Sequence, residues 1–105
     1  MPYKTIILEL LESNPQLHEQ LRRNRVLAQV LESCAIALKV RHEILKDQLS
    51  TTNLNTGPNQ IRSMAMEIGV QEMENRLLAA FPLEGREPPS LDDAMEFMLD
   101  LRARD

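Results

Sequence analysis

Apolar residues recur three and four positions apart along most of this chain, the spacing that puts them on one side of a helix. The pattern is interrupted at Pro15, at Gly57-Pro58 and from Pro82 through Pro89, and these breaks divide the chain into four segments. The first, Tyr3 to Ser13, sets Ile7, Leu8, Leu10 and Leu11 among Glu9 and Glu12. Thr5-Ile6-Ile7-Leu8 could equally open a strand, since short apolar runs do not separate the two states. With no partner strand elsewhere, a short helix is expected.

The second segment opens on Ser13-Asn14-Pro15-Gln16, which has the residues and spacing of a helix start. From there to Leu49 there is neither Gly nor Pro, so one unbroken helix from Pro15 to Leu49 is predicted. Leu17, Leu21, Asn24, Ala28, Leu31, Ala35, Leu38, His42, Leu45 and Leu49 form a heptad stripe with two polar interruptions. Val26, Val30, Ala37, Val40 and Ile44 form a second stripe. Only one line stays polar through the middle: Arg25, Gln29, Glu32, Lys39 and Glu43, interrupted by Ile36. A helix apolar around so much of its circumference must be covered on more than one face.

The third segment should run as a helix from about Gln60 to Phe81, with Ile61, Met64, Ala65 and Ile68 on one apolar line and Met66, Val70, Met73, Leu77 and Ala80 on the next. Gly69, costly in a helix interior, either admits a close neighbour or is merely tolerated. The fourth begins at Ser90, a favourable cap, followed by Leu91 and by Asp92 and Asp93, whose charge suits a helix N-terminus; Arg102 and Arg104 suit the other end. Ala94, Met95, Met98 and Leu101 continue its apolar stripe from Leu91, with Phe97 beside it. The expected fold is an all-α, elongated bundle of about four helices around one long central helix, in a single domain spanning residues 1–105.

Length then bears on function. A helix of about thirty-four residues is a rod of roughly 50 Å, whereas a compact globule of this size is about 33 Å across. Its overhanging leucines call for a cover, and a second copy is the commonest one for soluble proteins. The expected homodimer seam is Leu17, Leu21, Leu31, Leu38, Leu45 and Leu49, with Asn24 and His42 as polar residues able to set register.

Composition narrows the classes. The 105 residues are 43% hydrophobic and 27% charged, a globular balance. With only Tyr3, Phe81 and Phe97 aromatic, the core must be built from Leu, Ile, Val, Ala and Met. Five methionines, Met64, Met66, Met73, Met95 and Met98, cluster in the last two segments and are expected to fill that core rather than form an adaptable binding face. A net charge of −4 argues against nucleic acid. No apolar run is long enough to cross a bilayer, and Glu9 and Glu12 interrupt the first apolar stretch before a signal-peptide core can form. The single Cys34 fits a reducing compartment, so a cytoplasmic protein is expected.

Candidate chemistry is sparse. His18-Glu19 and His42-Glu43 each begin like a zinc-protease helix, but Arg22 and Lys46 stand where the second histidine belongs. Pro15 and Lys39 occupy the positions a di-iron carboxylate would need. Cys34 has apolar neighbours at helical spacing and reads as a small buried hydrophobe. Arg22, Arg23 and Arg25 form the one dense basic cluster, and Glu19 is spaced to pair with the first two. No catalytic, metal or cofactor site is expected. The expectation is a non-enzymatic interaction protein acting through helix-mediated association, with a nucleic-acid regulator using the three arginines as the alternative.

Overall fold

The computed structural model describes residues 3–81 and 91–104, which form five α-helices and no strand. They are α1 (Tyr3–Glu12), α2 (Pro15–Arg23), α3 (Leu27–Thr52), α4 (Pro58–Ala80) and α5 (Leu91–Arg104). The ambiguous first segment is thus helical, and the all-α class stands. The Ser90 cap and the chain from Pro82 to Pro89 lie outside the described residues, as do the side chains of Asp92, Asp93, Arg102 and Arg104.

The unbroken rod from Pro15 to Leu49 does not form, and four helices become five. The break falls at Asn24-Arg25-Val26 and has the bonding of a Schellman helix end. The Val26 N–H donates to the Leu21 carbonyl at 3.1 Å and the Arg25 N–H to the Arg22 carbonyl at 3.1 Å. Arg25 takes the left-handed conformation, φ 59°, that this end requires and that glycine usually supplies. Leu21 and Val26, five residues apart, are both buried and provide the apolar pair that accompanies the motif. The Asn24 side chain also donates to the Gln20 carbonyl, at 2.9 Å. Because the left-handed residue is an arginine, nothing in the glycine and proline pattern marks the stop.

Other boundaries shift for local reasons. Asn14, not Ser13, stands at the N-cap position of α2, but neither side chain caps it: Asn14 Nδ2 donates to the Leu10 carbonyl at 2.9 Å and the Ser13 hydroxyl to the Glu9 carbonyl at 3.0 Å. α3 continues past Leu49 to Thr52, where Thr51 and Thr52 hydroxyls bond carbonyls four residues back and Asn53 bonds Leu49. α4 starts at Pro58, with Gly57 as its cap.

α3 remains the element that touches the other four. Its 26 residues make a rod of about 39 Å, inside overall extents of 48 × 26 × 24 Å. The molecule is therefore somewhat extended. α4 turns back along α3, and Gly69 marks their close approach: a Cβ there would lie 3.1 Å from Leu38 Cδ1. α1 covers the α3–α4 pair on one side, and α5 closes onto α3 with Phe97 edge-on to Phe81 at 5.3 Å. Ile7, Leu11, Leu21, Val30, Leu38, Leu77 and Phe81 form the solvent-free centre.

Candidate functional site

The leucines proposed as a seam are engaged inside the chain. Leu17, Leu21, Leu38 and Leu45 are buried in the monomer, while Leu31 and Leu49 are half-buried. Breaking the rod lets α2 fold back and bury Leu17 and Leu21, while α4 lies against Leu38 and Leu45 at Gly69, so these four side chains find cover without a second copy. Asn24 forms the end of α2.

His42 ties three helices together. It is completely buried; its Nε2 lies 3.1 Å from the Arg62 carbonyl of α4 and its Nδ1 3.0 Å from the Tyr3 hydroxyl of α1. A carbonyl can only accept, so Nε2 donates to it, and the neutral ring with that tautomer leaves Nδ1 to accept from the phenol. Every polar atom of the ring is thereby satisfied in a site where an unpaired one would cost about 1–3 kcal/mol. Tyr3 was not legible as its partner, since 39 residues separate the two.

The arginine cluster is divided. Arg22 forms a bidentate pair with Glu19, with bonds of 3.0 and 2.6 Å, and Arg23 adds a third at 3.2 Å. The hydrogen bond from Arg22 holds the Glu19 carboxyl below its ordinary pKa, with smaller help from Arg23. Two of the three cations thus share one carboxylate, which lowers their value as a phosphate patch.

Cys34 is fully buried, and burial pushes its thiol up to about 12 despite a weak opposing field from Arg76. A thiol so raised is not a nucleophile. Among the described residues no group of His, Cys, Asp or Glu side chains has the arrangement of a metal site. Of the methionines, Met73 is core, Met64, Met66 and Met98 are half-buried, and Met95 is 49% exposed.

Two surface features remain. An open groove of about 630 Å³ lies against α1 and α4, lined by Ile6, Met66 and Val70 and by the polar Arg62, Glu67 and Gln71. Large apolar side chains also stand in solvent, among them Ile36 (60%) on α3 and Leu99 (61%) on α5. No described helix is long and apolar enough to cross a membrane. No family model, no curated protein and no solved structure matches the chain.

Proposed function

We propose that the protein is a non-enzymatic helical interaction protein, an adaptor, assembly factor or small regulatory subunit that pairs with a second copy of itself. The observation that carries this reading is the exposure of Ile36, Met95 and Leu99 on α3 and α5, two helices that pack against each other. Each of these side chains is only 49–61% exposed, so covering that part stabilises an association by roughly 1–2 kcal/mol, before the cost of bringing two chains together. The elongated shape suits pairing along a helix. A cytoplasmic location belongs to the same proposal, and the buried free thiol of Cys34 suits a reducing compartment.

Sedimentation velocity tests it. Between about 10 and about 500 µM, the range where small helical interfaces saturate, the average mass should rise from one chain of 12.0 kDa toward two. A single 12.0 kDa species at every concentration overturns the reading.

A further inference from the structure

The outer face of α3 is the side of the central helix that none of the other described helices covers. Gln29, Glu32, Ile36, Lys39, Glu43 and Asp47 are all exposed along it. Arg25, also exposed, stands just before its first turn. Ile36 is the one large apolar side chain among these residues and the most exposed on α3.

The charges on this face have a definite symmetry about Ile36. At 100° per residue, Glu32 and Lys39 lie about 40° and 60° round the helix from Ile36, on the same flank. They stand about 6 Å before it and about 4.5 Å after it along the axis. Asp47 lies eleven residues beyond Ile36, about 20° from the centre line, whereas Arg25 precedes the helix in its left-handed conformation and has no place on this count. A twofold axis that sets two α3 helices antiparallel keeps each flank on its own side and reverses direction along the axis. With the axis at Ile36, Glu32 meets Lys39 of the second copy, and the two Ile36 side chains meet each other. Val40, half-buried beside Ile36, comes opposite Ser33.

Other registers lose this match. A parallel pair exchanges the flanks, so Glu32 and Lys39 come opposite Ser33 and Val40 and gain no charged partner, while the two Glu43 side chains approach each other. Moving the axis two residues toward the C-terminus brings Glu32 onto Glu43, and moving it further brings Glu32 onto Asp47. Like charges facing each other are unfavourable in either case. The intrachain pairs do not block the favoured register. Lys4 reaches Glu32 only at 3.9 Å with both side chains 63% exposed, and Lys46 bonds Glu43, which the Glu32–Lys39 contacts do not use.

We infer that two copies pair through the outer face of α3, antiparallel about a twofold axis at Ile36, with reciprocal Glu32–Lys39 contacts. The inference rests on the self-pairing reading above and places it on α3 alone, with Met95 and Leu99 of α5 outside the seam. A seam of one helix from each copy is smaller than a standard interface of about 800 Å² per partner, so the dimer is of micromolar affinity and salt-sensitive.

Disulfide trapping separates this surface from self-association in general. Cys34 stays in place, since its thiol is buried, and the unsubstituted chain serves as control. Under mild oxidation at about 100 µM, within the range of a micromolar dimer, Ile36→Cys should link into covalent dimers at least ten times faster than Glu43→Cys. Two thiols introduced at position 43 would be about 21 Å apart along the seam, far beyond disulfide reach. In sedimentation, Lys39→Glu should weaken the dimer about ten-fold, and Glu32→Lys combined with Lys39→Glu should restore it. If the chain dimerises while Ile36→Cys links no faster than Glu43→Cys, or if the dimer ignores the charge reversal, this seam is overturned and the self-pairing reading stands. A chain that stays monomeric throughout and links at neither position overturns both.

Discussion

Arg25 shows how much one backbone angle controls. Its left-handed conformation, φ 59°, ends α2 and redirects the chain into α3. A side chain there costs about 1–2 kcal/mol, which a glycine avoids, while glycine loses about 0.4–1 kcal/mol through its freer unfolded state. Arg25→Gly should therefore raise stability by about 0.5–1 kcal/mol, read as a higher urea midpoint at a dilution where the chain is monomeric. A fall in the midpoint would mean that the arginine side chain contributes more than its backbone costs. His42 illustrates the opposite kind of legibility. Its place in the stripe was evident from spacing, but its bonds to Tyr3 and to the Arg62 carbonyl depend on three helices converging.

At the scale of the helix, the α3–α4 approach depends on Gly69. A β-branched side chain at that position would overlap Leu38, which is itself buried on every side. Gly69→Val should lower stability by about 2 kcal/mol, the cost of overpacking a filled interface. Gly69→Ala should stay within about 1 kcal/mol of the parent, because better helix propensity offsets a displacement of the flexible Leu38 tip. Thermal unfolding of the two variants side by side checks the contrast; equal effects would show that the interface has room to spare. Of the two readings open for this glycine in the sequence, close approach is the one that holds. Periodicity found α1, α4 and α5 and the inward residues Leu17, Leu21, Leu38, Leu45, Met73, Leu77, Ala94 and Leu101, but on α5 it put Met95 inside, where the structure buries Phe97 and leaves Met95 exposed. It missed the division between α2 and α3 because the motif that makes it joins Leu21 to Val26 through a non-glycine residue.

For the whole molecule, Cys34 reports on how completely the fold excludes water. Its pKa is raised to about 12, against an ordinary value near 9.0. Between those values the unfolded chain gives up its thiol proton while the folded chain keeps it. The contribution of this group is therefore intact below the ordinary value and declines as pH rises above it. Relative to Cys34→Ala, the parent should lose about 1.5 kcal/mol of stability between about pH 8 and about pH 10 in urea unfolding. Parallel pH profiles for the two chains would show that the thiol reaches solvent in the folded state. The comparison with the variant removes the titration of lysines and tyrosine, which both chains share.

Helical class, the approximate extent of most helices and many of the buried residues were determined by the sequence, because they depend on spacing along one chain and on local caps. Ala28, Ile44, Ile68 and Met95 lie on the expected stripes yet are exposed. Where Leu17 and Leu21 find their cover was decided by tertiary structure. Their spacing is the same whether a second molecule lies against a straight rod or α2 folds back onto its own chain. Which of these occurs turns on whether Arg25 can be held left-handed, and the burial of Leu21 with Val26 supplies the energy that holds it. The same division leaves the outer face of α3 open: its residues were visible as the one polar line, but only packing showed that no described helix lies over it.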